Sequence, residues 1–83
     1  MKVNLKMTLS FIFMKVKAGF VEQVIKTLLE MPEVKEAHGV TGGIDIIAKI
    51  EADDINMISK ITLSRIHQID GVERTATHIV VPL

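Results

Sequence analysis

The feature that most constrains this chain is a nine-residue apolar segment, residues 9–17, that is hydrophobic on both sides. Successive side chains of a β-strand point to opposite faces of its sheet. One set of alternating side chains is Ile12, Met14 and Val16, and the other is Leu9, Phe11 and Phe13. An antiparallel sheet commonly leaves one face to solvent, so a strand of this kind predicts a sheet covered on both faces.

The rest of the chain alternates between helical and strand patterns. A stripe at i, i+3, i+4, i+7 and i+8 from Val21 to Leu29 predicts a helix, which Pro32 ends. A second helix is expected from an N-cap at Asp53 or Asp54 to about Ile69, with Gly71 in a left-handed position after it. Strands are expected at 34–41, 44–52 and 72–81, with Gly42-Gly43 supplying the positive φ angles of a tight hairpin turn between the first two.

This order is βαββαβ and predicts a ferredoxin-like α+β fold, with two helices on one face of a four-stranded antiparallel sheet. The 83 residues are expected to form one domain, 1–83, in which 1–8 is an N-terminal extension. A chain this short buries only about 60% of its unfolded surface. Because 48% of the residues are hydrophobic, a protein–protein surface is predicted.

On this basis we expect a two-fold dimer whose sheets pack face to face. Hiding roughly 400 Å² of apolar surface per subunit corresponds to about 10 kcal/mol, from which association entropy subtracts much. The main apolar stripe of helix two comprises Ile55, Ile58, Thr62, Ile66 and Ile69. Three further apolar residues of this helix lie off the stripe: Met57, Ile61 and Leu63. They suggest either a wide core stripe or a second interface that joins dimers into a closed ring.

Charge and composition exclude several other classes. Ten basic residues balance ten acidic ones, so direct nucleic-acid binding is not expected, because phosphate contacts demand a basic excess. No segment is long enough to span a membrane, and a cytoplasmic location is expected. The chain has no cysteine, and His38, His67 and His78 are scattered, so neither a metal nor a cofactor is expected.

Three segments, 15–19, 40–46 and 69–77, resemble the C-terminal ligand-binding domain of Lrp/AsnC transcription regulators. The likeness covers residues 9–81, and its most specific part is a Thr-Gly-x-aromatic-Asp hairpin. Thr41, Gly42, Gly43 and Asp45 match it, while Ile44 stands where an aromatic residue is usual. The resemblance implies a dimer that binds a small amino acid effector at a subunit interface and assembles into rings. With about eight residues before the first strand, it implies a stand-alone module that acts on full-length regulators.

The candidate ligand-binding residues are Thr41, Gly42, Gly43, Ile44, Asp45, Thr75 and Thr77. Glycine backbone N–H groups suit a ligand carboxylate, and the Asp45 carboxylate suits an α-ammonium group. The hairpin is equally explained as an ordinary turn, and the threonines as good strand formers. Asp45→Ala is predicted to abolish the ligand response and to leave the fold intact.

Other functions remain open on the sequence. No catalytic motif is present, and the chain is not expected to be an enzyme, although dimeric ferredoxin-like barrels include cofactor-free monooxygenases. Such sites usually contain polar and aromatic groups, and this chain has neither Trp nor Tyr. An ACT-like regulatory domain and a purely structural assembly module are further alternatives.

Overall fold

The structure, a computed structural model, describes residues 7–83, and the predicted βαββαβ fold is confirmed. Its elements are β1 (Thr8–Val16), α1 (Val21–Leu29), β2 (Val34–Gly39), β3 (Ile46–Ala52), α2 (Ile55–Ile61), a π-helical turn (Thr62–Ile66) and β4 (Val72–Ile79). The four strands form one antiparallel sheet in the order β2-β3-β1-β4. Most of the predicted N-terminal extension, residues 1–6, lies outside the described residues.

The core lies between one face of the sheet and the helices. From β1 it takes Ile12, Met14 and Val16, the first of the two predicted sets. The central strand β3 contributes every second residue, and the helices contribute their apolar stripes. These further core residues are Ile46, Ala48, Ile50, Ala52, Val24, Leu28, Ile58, Ile61 and Ile66.

The opposite face of the sheet, here called the bare face, is covered by no helix in the described part of the chain. Leu9, Phe11 and Phe13 of β1 lie on it and are each half-buried, so the prediction of an apolar second face is confirmed for β1. The strand registers place on the same face Lys15, Glu36, His38, Ile47, Lys49, Glu51, Arg74, Ala76 and His78. The apolar centre of the bare face is therefore flanked by charges.

A bulge in β4 interrupts the regular alternation of its side chains between the two faces of the sheet. Lys15 pairs with Arg74, but the next β1 residue, Val16, pairs with Val72, which leaves Glu73 as an extra residue. Simple alternation along β4 would place Val72 on the same face as Ala76, and Glu73 on the same face as Thr75. Because the extra residue reverses the parity, Val72 packs on the helix side and Ala76 lies on the bare face.

Helix two differs from its prediction in how it ends. Asp54 caps it, accepting a hydrogen bond from the Met57 backbone N–H at 2.9 Å, but regular α-helix ends at Ile61. The π-helical turn follows, with the His67 N–H donating to the Thr62 carbonyl five residues back at 2.9 Å. No helix among residues 7–83 is long and apolar enough to cross a membrane.

Two consequences follow for the apolar side chains of helix two. Ile61 joins the core, as a wide core stripe predicts, whereas Met57 and Leu63 remain 39% and 62% exposed. Ile55, expected on the buried stripe, is 55% exposed.

Gly71 has the predicted left-handed backbone, with φ +99°, but lies in the turn before β4, not directly after the helix. A Cβ there would meet Phe20 at 2.6 Å. Close packing against Phe20 thus requires glycine as much as the backbone angle does.

The β2–β3 hairpin is wider than the predicted tight turn. Its loop comprises residues 40–45 and is closed by a hydrogen bond from the Val40 N–H to the Asp45 carbonyl at 2.9 Å. Only one of its two glycines has a positive φ, Gly42 at +119°. Gly43 adopts an ordinary angle, so the expectation that both glycines supply left-handed backbone was wrong.

This difference between adjacent glycines predicts different costs for the same substitution. A Cβ at either position meets nothing within 4 Å, so only backbone strain separates them. We expect Gly42→Val to destabilise the fold by about 1–3 kcal/mol, because β-branched residues resist positive φ. Gly43→Val, the matched control, should change the urea-derived free energy of unfolding by less than about 0.5 kcal/mol. Equal losses would contradict the assigned backbone geometry.

Candidate functional site

Asp45 ties the hairpin to the end of β1. Its Oδ2 accepts a hydrogen bond from the Val16 backbone N–H at 2.8 Å, and the Lys15 Nζ lies 3.6 Å from the same oxygen. The Asp45 N–H donates to the Met14 carbonyl at 2.8 Å. Asp45 thus holds the hairpin in place through both its backbone and its side chain.

These contacts revise the expectation that Asp45→Ala leaves the fold intact. Alanine would leave the partly buried Val16 N–H without its acceptor, and an unpaired buried donor costs about 1–3 kcal/mol. The side chain is nevertheless 28% exposed, and its Oδ1 has no hydrogen-bond partner among residues 7–83. Asp45 therefore combines a structural role with an oxygen accessible to a ligand.

A shallow, open depression, here called the hairpin depression, lies beside the loop and has a volume of about 600 Å³. Its lining residues are Val21, Gly39, Val40, Thr41 and Asp45. A Cβ at Gly39 of β2 would lie 3.4 Å from the Val21 Cγ1 of α1, an ordinary van der Waals contact, so α1 packs closely on this part of β2. The depression therefore offers a carboxylate, a threonine and an apolar wall, and one of its sides is open to solvent.

A second depression, here called the basic depression, lies across the hairpin at the edge of the bare face, with a volume of about 300 Å³. Its lining residues are Phe13, Lys15, Gly43, Ile44, Arg74, Thr75 and Ala76. The hairpin residues predicted as one site are thus divided between two depressions. Thr41 and Asp45 line the first, and Gly43 and Ile44 line the second, while Gly42 lies at the exposed loop tip between them.

The two predicted threonines face away from the bare face. Thr75 and Thr77 pair with Met14 and Ile12, which are core residues, and therefore lie on the helix side of the edge strand. The Thr75 Oγ1 lies 2.6 Å from the Nε2 of His67, which follows the π-helical turn. Thr75 borders the basic depression, but its hydroxyl is engaged by His67, and Thr77 lines neither depression.

The far side of the bare face carries a small charged cluster on β2 and β3. Glu36 accepts hydrogen bonds from the His38 Nε2 at 3.0 Å and the Lys49 Nζ at 3.4 Å. The bonds from His38 and then Lys49 hold the pKa of the Glu36 carboxyl below its usual value. His38 and His78 lie on the two edge strands, and His78 packs against Phe13 with ring centroids 4.7 Å apart. No group of three metal-ligating side chains occurs in residues 7–83.

Two site residues were missed by sequence reasoning, Lys15 and Arg74. Arg74 has no salt-bridge partner within residues 7–83 and lines the basic depression. The bulge at Glu73 puts Arg74 opposite Lys15, and simple alternation along β4 gives no sign of it. The sequence shows that both residues are basic, but it does not show that they lie opposite each other on adjacent strands.

The double role of Asp45 predicts that two substitutions separate its charge from its hydrogen bond. Asp45→Asn keeps a side-chain carbonyl that accepts from the Val16 N–H and should cost less than about 1 kcal/mol of unfolding free energy. Asp45→Ala removes the acceptor and should cost about 1–3 kcal/mol. Urea denaturation measures both, and an alanine variant as stable as wild type would refute the structural role.

Comparison with known proteins places this geometry in a family. The family model described as the Lrp/AsnC ligand binding domain matches residues 9–82. The HTH-type transcriptional regulator FL11 of Pyrococcus furiosus is 38% identical over 72 residues, which cover 87% of this chain and 47% of the regulator. The chain thus spans about half the length of the curated relatives it matches.

Solved structures agree with this assignment. The hypothetical protein PHS023 from Pyrococcus horikoshii is 35% identical with a TM-score of 0.86, and the match covers 93% of both chains. The transcriptional regulator NMB0573 from Neisseria meningitidis, solved as a complex with L-Met, shares the fold with a TM-score of 0.81 at 20% identity. That match covers 99% of this chain and 59% of the regulator. The chain belongs to the Lrp/AsnC ligand-binding domain family of transcriptional regulators.

Proposed function

We propose that this chain is an amino-acid-sensing oligomerisation module that acts on transcription regulators of the Lrp/AsnC type. The observation that carries the proposal is the hairpin depression, where the partly exposed Asp45 carboxylate lies beside Thr41 in a concavity open on one side. An amino acid brings an α-ammonium group that such a carboxylate binds through a charge-assisted hydrogen bond.

The open side of the depression suggests how binding is linked to assembly. Small-molecule sites usually enclose most of their ligand, and this shallow depression does not. A second subunit placed over it would complete the enclosure. The ligand would then favour the assembly that contains the completed site, because a ligand shifts an equilibrium by its difference in affinity between the two states.

Dimerisation through the bare face is the second part of the proposal. Its apolar centre, formed by Leu9, Phe11, Phe13 and Ile47, lies on the two central strands, where solvent exposure is costly. A second copy packed on it would bury this centre and leave the flanking charges at the rim. Assembly of such dimers into a closed ring would use the exposed Met57 and Leu63 of helix two.

Support for an amino acid ligand also comes from the fold relative in complex with L-Met. The curated relatives are named transcriptional regulators, which favours a regulatory function over the monooxygenase alternative. Co-assembly with full-length regulators stays a prediction. A cytoplasmic location, where such regulators act, stays a prediction as well.

Replacing Phe13 by glutamate tests the dimer. The change puts a charge in the centre of the bare face, where a dimer cannot hydrate it, so light scattering should show a dimer or a ring of dimers for the wild type and a monomer for Phe13→Glu. Leu63→Glu is the matched control on an exposed helix position and should keep the dimer, even if larger rings are lost. A wild type that is monomeric at micromolar concentration would refute face-to-face pairing.

A thermal-shift and light-scattering screen with each of the twenty amino acids at millimolar concentration tests the sensor function. A ligand at about 100 times its Kd stabilises the folded state by about 2.7 kcal/mol and raises the Tm. We expect one class of amino acid to raise the Tm and change the mass, and Asp45→Asn to reduce both responses. A fixed oligomer that is indifferent to all twenty would favour the purely structural module.

A further inference from the structure

Two cations stand directly opposite each other at the hairpin end of the bare face. Lys15 of β1 and Arg74 of β4 are register partners in the antiparallel ladder, so their side chains leave the same face of the sheet at neighbouring positions. Like charges directly opposite on adjacent strands destabilise a sheet. The Lys15–Arg74 repulsion therefore destabilises the sheet, and no acidic side chain among residues 7–83 pairs with Arg74 to reduce it.

The surroundings of Lys15 and Arg74 do little to neutralise their charges. The Asp45 Oδ2 is 3.6 Å from the Lys15 Nζ, too far for a hydrogen bond, and that oxygen already accepts from the Val16 N–H. Arg74 has no acidic partner among residues 7–83. The acidic residues of the bare face, Glu36 and Glu51, lie toward its other end, where Glu36 is bound by His38 and Lys49.

The pair also lines a concave site of ligand size. The basic depression is about 300 Å³, at the lower end of the range of small-molecule pockets. Phe13, Ile44 and Ala76 form its apolar walls. The Gly43 backbone is open, since nothing lies within 4 Å of the position of a Cβ, so a ligand can approach the main chain closely.

We infer that the basic depression binds a carboxylate, and that the effector is an acidic amino acid. The planar guanidinium of Arg74 binds a carboxylate through two parallel hydrogen bonds, and the Lys15 ammonium adds a second positive charge. Asp45 lies next to Lys15 on the other side of the hairpin, so an ammonium site and a carboxylate site flank one loop. This inference rests on the proposed sensor function and narrows its ligand class.

Glutamate and glutamine form a matched ligand pair, because they have nearly the same size and differ by one negative charge. We expect isothermal titration of the full chain, at constant ionic strength, to give a Kd for L-glutamate or L-aspartate at least about tenfold lower than for the corresponding amide. Arg74→Gln should remove that preference. Lys49→Gln, which deletes another cation of the same face outside the depression, should retain it.

The outcomes separate this inference from the function on which it rests. If an amide or another neutral or basic amino acid binds as well as the acids, the sensor function stands and the acidic specificity is refuted. If none of the amino acids binds, both fail. If Arg74→Gln keeps the preference for the acid, the carboxylate site is refuted. The site is also refuted if Arg74→Gln lowers the oligomer mass in the absence of ligand, because Arg74 then contacts a partner subunit.

Discussion

The two-sided hydrophobicity of β1 is the constraint on which the rest of the structure depends. Its position between β3 and β4 makes β1 a central strand, so the apolar residues of its two faces lie in the middle of both sides of the sheet. One side is covered by α1 and helix two, whose apolar stripes supply the core. The other side has no cover within residues 7–83, and burial of its apolar surface is the driving force available for association.

The end of β1 also positions the candidate site. The carbonyl of Met14 and the N–H of Val16 bind Asp45 at the base of the hairpin, while Lys15 between them points to the bare face. The loop is therefore held against the central strand by hydrogen bonds and separates a carboxylate from a pair of cations. A ligand at this loop and a partner on the bare face would both contact the same strand end, and the proposed binding would then be linked to the proposed assembly through direct contacts.

Much of this could be predicted from residue patterns, because the period of hydrophobic side chains differs between helices and strands. The helix over Val21–Leu29, the cap at Asp54 and the apolar faces of β1 follow from local spacing and agree with the structure. The candidate site was harder to predict from the sequence, since the hairpin residues were expected to form one site and are divided between two depressions. Thr75 and Thr77 were predicted to bind the ligand together with the hairpin, yet they lie on the helix side of the sheet, where Thr75 contacts His67.

The sequence by itself determined the order of the elements and the presence of an apolar surface beyond the core, because these depend on the spacing of side chains within a few residues. Only the tertiary structure decided which side chains meet across strands. The single extra residue at Glu73 reverses the parity of β4 and sets Arg74 opposite Lys15, and the contact of Asp45 with Val16 joins residues 29 positions apart. Register and long-range hydrogen bonds result from the packing of whole strands, so local periodicity leaves them undetermined.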